Sequence, residues 1–292
     1  MSKNFDDLLT KLKVAKTKKL AVAVAQDEPV LEAVKAAKDR GIADAILVGD
    51  REKIEAVATK IDMDLSSFEI VHEADVKKAA LKAIELVSSG QADMVMKGLV
   101  DTATFLRSVL NKEVGLRTGK LMSHVSVFEI EGIDRLILLT DAAFNTYPDL
   151  KQKVQIINNS VMVAKACGIE NPKVAPVCAV EVVNPDMPAT IDAALLSKMS
   201  DRRQIKGCIV DGPLALDNAL SEEAAHHKGI KGPVAGKADI IMLPNIETGN
   251  VMYKTLCFGL QGSEFCGLHD SFRLRYGRTF CLHLFDTVHS SE

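Results

Sequence analysis

The sequence predicts an α/β fold in which mostly parallel sheets are covered by helices. Short apolar runs rich in β-branched residues alternate with helical segments of about ten to fifteen residues. The stretch 238–254 shows the pattern best, with a mostly apolar run to residue 243, a small or polar tip at 245–250, and apolar residues again from Val251. A strand, a polar tip and a helix form the unit in which α/β proteins bind ligands beyond the carboxyl ends of their strands.

The other elements follow from the same alternation along the chain. Strands are predicted where apolar runs are short and bounded by polar or turn residues, at 20–25, 45–50, 68–71, 94–98, 124–128, 136–139, 174–180 and 207–210. Helices are predicted where apolar residues recur with helical spacing, at 8–19, 29–40, 51–60, 75–89, 150–167, 189–198 and 214–226.

The alternation pauses once, and this pause predicts a second domain. Residues 111–120 are polar and contain Gly115 and Gly119. The strands at 124–128 and 136–139 then follow with only a short turn between them, which favours an antiparallel hairpin. We predict a discontinuous first domain of residues 1–122 and 256–292, and a second domain of residues 123–255, each of them α/β.

Composition excludes several classes of protein. Of 292 residues, 47% are hydrophobic, no apolar run approaches the length of a membrane helix, and the charged N-terminal segment lacks a secretory core. The net charge of −3 and the absence of Trp give no reason to expect nucleic acid or a membrane as partner. The six cysteines show no Cys-x-x-Cys spacing, which argues against both a zinc site and a disulfide framework, so a reduced, cytoplasmic enzyme fits best.

Polar residues follow four of the predicted strands and are the candidates for a binding site. Lys97-Gly98 precedes Thr102, Thr104 and Arg107, an arrangement that suits phosphate at a helix N-terminus, although surface charge around a turn explains it equally well. The remaining strand-end residues are Asp141 with Asn145, Asp211 with Gly212, and Asn245. Asp141 could instead tie its loop, and Asp211 could cap its helix. The recurrence at four strand ends favours a phosphorylated ligand.

Motifs for other chemistries are absent or incomplete. Residues 115–121 have three residues between their glycines and no Ser or Thr after the lysine, which excludes a P-loop. No Gly-x-Gly-x-x-Gly or Gly-x-Ser-x-Gly motif occurs, so neither a dinucleotide site nor a serine hydrolase is supported. Ser123-His124 precedes a strand, where a single histidine is more often structural than catalytic.

The last 36 residues, from Cys257, differ in composition from the rest. They contain no Ala, Lys, Ile, Met, Asn or Pro, yet they hold six of the thirteen aromatic residues and three of the six cysteines. Such a change within one globular fold is unusual. It indicates a disturbed reading frame or a sequence error, with a divergent native tail as the alternative.

Five segments together resemble the phosphate acetyl/butyryltransferase family. They are Met96-Lys97-Gly98, Ser123-His124-Val125, the segment 140–145, the segment 210–219 with its Asp-Gly-Pro-Leu-Ala-Leu-Asp-Asn-Ala run, and the segment 238–254. The similarity extends from about residue 20 to residue 256, with the motifs in the family's order. It implies a three-layer αβα fold of two domains, like that of isopropylmalate dehydrogenase, with a cleft between them. The Asp211-Gly212-Pro213 form is more similar to the butyryl branch.

The resemblance also implies the reaction, butyryl-CoA + phosphate ⇌ butyryl phosphate + CoA. CoA and phosphate are substrates in this reaction, and neither a metal nor a bound cofactor is implied. Among the partners it implies are further copies of the chain, in a homo-oligomer, and butyrate kinase in the same pathway. By this resemblance Lys97, Thr102, Thr104 and Arg107 face phosphate or CoA, and Ser123, Asn145, Asn245, Gly249 and Asn250 line the acyl and phosphate site. The other substrate-binding residues that it implies are Gly98, Asp141, Asp211, Gly212 and Lys254.

The C-terminal part departs from the family. The resemblance implies a Ser-Arg-x-Asp motif in which the arginine stabilises charge and the aspartate acts as base. Here Asp286 matches the aspartate, with Ser123 and His124 as further catalytic candidates, but Leu and Phe replace the Ser and Arg. Three alternatives therefore stay open: a phosphate acetyltransferase, a CoA-binding relative with impaired catalysis, and a metal-dependent decarboxylating dehydrogenase, for which no dense carboxylate cluster is visible.

Overall fold

A computed structural model describes residues 3–12, 14–259 and 278–284 of the chain. These residues fold into two compact units. We call residues 9–120 the N-terminal unit, and residues 3–8, 121–259 and 278–284 the C-terminal unit. Each unit contains one sheet with helices packed against it, so the predicted α/β fold class is confirmed.

The N-terminal unit has a four-stranded parallel sheet in the order β3-β2-β1-β4. Its strands are β1 (Lys18–Ala23), β2 (Ala43–Gly49), β3 (Glu69–His72) and β4 (Met94–Lys97). The helices that lie wholly in this unit are α2 (Glu28–Asp39), α3 (Arg51–Lys60), α4 (Val76–Ser88) and α5 (Thr102–Val109). Helix α1 (Phe5–Leu12) has residues in both units. Residues on both faces of β1 are buried, Ala21 and Ala23 against α4 and Val22 in the core around α2 and α3. Burial on both faces explains why the sequence of β1 is apolar without alternation from Leu20 onward.

The C-terminal unit has a six-stranded sheet in the order β10-β5-β6-β9-β7-β8. Its strands are β5 (Ser123–Glu129), β6 (Leu136–Thr140), β7 (Lys173–Pro176), β8 (Ile209–Val210), β9 (Ile240–Met242) and β10 (Arg278–Leu284). Its helices are α6 (Leu150–Ala166), α7 (Pro188–Asp201), α8 (Leu216–Leu220), α9 (Glu222–His227) and α10 (Ile246–Lys254), followed by a π-helical turn, Thr255–Gly259. One apolar core lies on each face of this sheet, with Leu138 and Ile157 in one and Leu139 and Ile241 in the other.

The predicted hairpin is confirmed, because β5 and β6 pair antiparallel, with Ser126 opposite Leu139. Strands β6, β9, β7 and β8 are parallel, as the alternation predicted. Strand β10 also pairs with β5, antiparallel, so residues 278–284 join the sheet of the C-terminal unit. The sequence analysis had grouped residues 256–292 with the first domain. The predicted bounds of the two domains stay a prediction.

Three helix predictions were wrong in extent. The helix predicted from Val251 is α10, which begins at Ile246 and takes in most of the predicted polar tip. The first helix is Phe5–Leu12 rather than 8–19, because Lys18 and Lys19 already pair with Ala43 and Asp44 in β1. The predicted helix at 214–226 is two short helices, α8 and α9. Ser221 separates them with extended backbone angles, and its hydroxyl accepts a hydrogen bond from the N–H of Ala224, 3.2 Å away. Ser221 is thus the N-cap of α9.

In the part of the chain that is described, no helix is long and apolar enough to cross a lipid bilayer.

Candidate active site

One edge of the C-terminal sheet collects most of the predicted site residues of that unit. Strands β6 and β9 are parallel neighbours, so their carboxyl ends lie side by side. Strand β5 runs antiparallel to β6, which places its first residues at this same edge. We call this region the β6/β9 edge and define it by Ser123 and His124, residues 141–145 and residues 245–250. The sheet topology therefore brings together three segments that are far apart in the sequence.

Asp141 is the centre of the hydrogen bonds at this edge. One of its carboxylate oxygens accepts bonds from the N–H groups of Ala143 and Phe144, at 2.9 and 3.1 Å. The other accepts a bond of 2.5 Å from Nδ2 of Asn145, which also donates to the carbonyl of Met122, at 3.0 Å. Asp141 is only 3% exposed. Its carboxylate ties the loop after β6, which was one of the two interpretations of this residue, and substrate binding by Asp141 stays a prediction.

The start of α10 forms the second part of the edge. Asn245 is the N-cap of α10, and its side-chain oxygen accepts bonds from the N–H and the hydroxyl of Thr248, at 3.0 and 2.8 Å. Asn250 donates to the carbonyl of Ala142, at 3.3 Å, and so joins α10 to the loop after β6. A Cβ atom at Gly249 would lie 2.3 Å from the carbonyl oxygen of Asp141. Only glycine fits at this close approach. Lys254, the last residue of α10, is exposed.

Ser123 and His124 are both buried at the start of β5. The Ser123 hydroxyl accepts a bond of 2.9 Å from Nδ2 of Asn159 on α6, which also donates to the carbonyl of Leu121. The carbonyl of His124 accepts a bond of 2.7 Å from the hydroxyl of Thr140. These bonds fix the entry of the chain into β5. A catalytic role for Ser123 or His124 stays a prediction.

Asp211 and Gly212 follow β8, at the outer end of the same sheet. In the strand order β6-β9-β7-β8, Asp211 is three strand positions from Asp141, a separation of roughly 14 Å. Asp211 does not cap α8, whose N-cap is Ala215. Burial raises the pKa of Asp211 above its ordinary value, with hydrogen bonds from Gly212 and Ser197 opposing that shift. The strand order thus separates Asp211 from the residues of the β6/β9 edge.

The N-terminal unit contains the remaining described candidates, at the end of β4. A Cβ atom at Gly98 would lie 2.3 Å from the carbonyl oxygen of Val24, so the chain after β4 passes very close to the chain after β1. Asp101 caps α5 by accepting a bond of 2.9 Å from the N–H of Thr104. Hydrogen bonds from the side chain and N–H of Thr104 hold the pKa of Asp101 below its ordinary value.

The side chains along α5 differ in their exposure. Arg107 is exposed and lies against its own helix, donating to the carbonyl of Ala103 at 3.1 Å and to the hydroxyl of Thr104 at 3.4 Å. Thr102 is exposed, whereas Thr104 is buried. Lys97 is partly buried. The N-terminal turn of α5 therefore presents Thr102 to solvent, as a phosphate site at a helix N-terminus requires. Arg107 is exposed in the last turn of the same helix.

Sequence reasoning missed Asn159, which supports the β6/β9 edge, and a buried ion pair of the same unit. Asn159 lies in the middle of α6, and an amide at helical spacing from the apolar residues Ile156 and Val163 was the available signal. Lys153, which is 6% exposed, forms an ion pair of 2.5 Å with Asp192 of α7. Burial raises the pKa of the Cys178 thiol to about 11, although the charge of Lys153 opposes this shift. The last catalytic candidate, Asp286, lies outside the described residues.

Comparison with known proteins assigns the chain to a family. The family model described as phosphate acetyl/butaryl transferase matches residues 4–80 and 72–259. The chain belongs to this family of acyltransferases.

The chain is also similar to characterised relatives. It is 74% identical over 258 residues to the phosphate butyryltransferase of Clostridium acetobutylicum, covering 88% of this chain and 86% of the relative. It is 46% identical to the phosphate acetyltransferase of Thermotoga maritima, covering 87% and 86% of the two chains. Among solved structures, a branched-chain phosphotransacylase from Enterococcus faecalis superimposes with a TM-score of 0.73 at 32% identity, covering 82% of this chain and 84% of that one.

Proposed function

We propose that this chain transfers a short acyl group between CoA and inorganic phosphate, with butyryl as the preferred group. The observation that carries the proposal is the 74% identity with a phosphate butyryltransferase over 88% of the chain. The reaction is butyryl-CoA + phosphate ⇌ butyryl phosphate + CoA. The 46% identity with a phosphate acetyltransferase supports an alternative in which acetyl is the preferred group. Because this identity is lower than the 74% identity with the phosphate butyryltransferase, we favour butyryl.

The chemistry requires little covalent help from the protein. A phosphate oxygen attacks the thioester carbonyl carbon, the oxyanion forms, and the C–S bond then breaks to release CoA as its thiolate. The site has to hold both substrates in a reactive orientation and to stabilise the oxyanion with hydrogen-bond donors. In the reverse direction a base removes the thiol proton, and we assign this role to Asp286. No metal or bound cofactor takes part in this scheme.

We assign the described candidates to two roles. Lys97, Thr102 and Arg107 bind phosphate or CoA, because cations and a helix N-terminus suit anionic oxygens. The β6/β9 edge lines the acyl and phosphate site, with Asn145, Asn245 and Asn250 as its polar side chains. The site residues with these or supporting roles are Lys97, Gly98, Thr102, Thr104, Arg107, Ser123, His124, Asp141, Asn145, Asp211, Gly212, Asn245, Gly249, Asn250 and Lys254.

Several finer features belong to the same proposal. The fold is taken to be a two-domain, three-layer αβα arrangement like that of isopropylmalate dehydrogenase. We further propose that the protein is a cytoplasmic homo-oligomer and that butyrate kinase acts next on its product. These features rest on the family membership.

The test is to follow free thiol from butyryl-CoA with and without phosphate, and to repeat it with acetyl-CoA. Phosphate-dependent release that is faster with butyryl-CoA supports the proposal. Release that does not depend on phosphate indicates a hydrolase and rejects it. CoA binding without any release indicates a relative that has lost catalysis, for which the replacement of the family's Ser and Arg near Asp286 gives a reason.

A further inference from the structure

Three aromatic rings meet at the β6/β9 edge, and each comes from a different element. The ring of His124, at the start of β5, lies 6.5 Å from that of Phe144 in the loop after β6, at an interplanar angle of 65°. It lies 5.6 Å from the ring of Tyr253 on α10, at 87°. Both contacts are edge-to-face, the geometry that aromatic pairs prefer. His124 is 2% exposed, whereas Phe144 and Tyr253 each retain exposed surface. The buried imidazole thus supports two partly exposed rings.

Each of these two rings belongs to a segment that also carries polar groups of the proposed site. Phe144 is followed by Asn145, and its own N–H donates to Asp141 at 3.1 Å. Tyr253 lies one helical turn beyond Asn250, whose amide donates to the carbonyl of Ala142. Apolar ring surface beside a few fixed polar groups is the usual composition of a site for a small organic ligand. An acyl thioester has this same division, since its carbonyl needs donors and its alkyl chain needs apolar contact.

We propose that Phe144 and Tyr253 form the wall that contacts the alkyl chain of the acyl group, and that they set the preference for butyryl over acetyl. This inference rests on the proposed acyl transfer and names the residues that determine its specificity. A butyryl group has two methylenes more than an acetyl group, and their burial favours the longer chain by roughly tenfold or more. The His124 ring packs against both of them, and Phe128 also packs against Tyr253, with ring centroids 6.1 Å apart.

The test compares kcat/KM for butyryl-CoA and acetyl-CoA at saturating phosphate, in the wild type and in Phe144→Ala and Tyr253→Ala. We expect the butyryl-to-acetyl ratio to fall about tenfold in each variant. A variant that is merely less well folded loses activity with both substrates in proportion, so the ratio separates lost specificity from lost structure. Phe144→Leu serves as a milder change, with a smaller fall in the ratio.

Two controls complete the experiment. Tyr253→Phe keeps the ring and should keep the ratio. Tyr147→Ala removes a ring that is 70% exposed and bonded to Glu247, and it should also keep the ratio. Suppose that the wild type shows phosphate-dependent release. If the butyryl-to-acetyl ratio of Phe144→Ala, Phe144→Leu and Tyr253→Ala then differs from the wild-type ratio by less than twofold, the ring proposal alone is overturned. A wild type without phosphate-dependent release would overturn the proposed function, and the ring proposal with it.

Discussion

Gly249 of α10 packs directly on Asp141, so that a Cβ atom at position 249 would lie 2.3 Å from the Asp141 carbonyl oxygen and 2.9 Å from Cα of Ala142. Real Cβ atoms do not approach backbone this closely, so any side chain here must displace α10 from the loop after β6. The same helix positions Asn245, Asn250 and Tyr253. The close packing at Gly249 therefore fixes the position of α10 relative to the loop after β6.

We expect Gly249→Ala to lower acyl-transfer activity by at least tenfold, because a shift of about 1 Å at a site of this kind costs that much or more. The variant should also be less stable, since backbone rather than a flexible side chain blocks the added methyl group. Enzyme assays and urea unfolding would measure the two effects.

The matched control is Gly132→Ala in the same unit. Gly132 has a φ of +84°, and an added Cβ would meet no atom within 4 Å. An alanine at this positive φ strains the backbone and should lower the free energy of unfolding by about 1 kcal/mol, while the acyl-transfer activity should be retained. Equal activity of Gly249→Ala and Gly132→Ala would contradict the role of close packing at Gly249.

Asn145 supplies the second test, because its amide bonds both the Asp141 carboxylate and the Met122 carbonyl. Asn145→Ala leaves the buried Asp141 carboxylate and the partly buried Met122 carbonyl without this donor, and the free energy of unfolding should fall by about 1–3 kcal/mol. Asn171→Ala, at an exposed position of the same unit, should change it by less than about 0.5 kcal/mol. Chemical unfolding followed by circular dichroism would show the difference, and a similar small change in both variants would refute the role of Asn145.

The local parts of this edge could be predicted from the sequence. The place of Asn245 at a strand end was predicted, although the helix after it begins at Ile246 rather than at Val251. The four-residue spacing of Asp141 and Asn145 is also local, and both residues were among the candidates. Predictions of this kind succeed because the determining contacts lie within one turn or loop.

The long-range parts could not be predicted. Strand β9 lies between β6 and β7 in the sheet, although it follows both in the chain, and no local pattern encodes that order. The separation of Asp211 from Asp141 and the contact of His124 with Tyr253 both depend on it. Burial of Ser123 against Asn159 likewise depends on how α6 packs on the sheet. Sequence periodicity reports which face of an element is apolar, but not which element covers it.

The half-buried carboxyl of Asp211 predicts a dependence of stability on pH. Burial raises its pKa in the folded protein above the ordinary value near 3.9 in the unfolded chain. Between these two pKa values the folded state binds more protons, so its stability falls as pH rises through this window. Asp211→Asn removes the buried charge, and we expect its stability relative to the wild type to be higher at pH 7 than at pH 3.

Asp101 gives the comparison of opposite sign. Its pKa is lowered in the folded protein, so the charged carboxyl contributes stability above the unfolded pKa and loses it as pH falls through the folded pKa. Asp101→Asn should therefore be less stable than the wild type at pH 7, with a difference that shrinks in acid. Urea unfolding of both variants at pH 3, 5 and 7 tests the signs, and parallel pH profiles for the two would contradict this assignment.

Arg107 and Lys97 should bind substrate phosphate oxygens. In the described part of the chain the Arg107 guanidinium makes two bonds, both to its own helix, and five N–H donors are available to it. Arg107→Ala and Lys97→Ala should each raise the KM for phosphate or for CoA by roughly tenfold or more, since a bond between charged groups contributes about 1.5–3 kcal/mol. Arg107→Lys keeps the charge without the planar fork and should recover only part of the affinity.

The control for net charge is Lys82→Ala, an exposed lysine of α4 whose partner is Glu85. It removes one positive charge from the same unit but should leave both KM values within about twofold, because exposed charges at a distance are screened by salt. Titrating phosphate and CoA separately assigns each residue to one substrate, since the KM of the substrate it contacts changes most. If Lys82→Ala raised KM as much as Arg107→Ala does, the effect of Arg107 would be one of net charge, and its direct contact with substrate would be refuted.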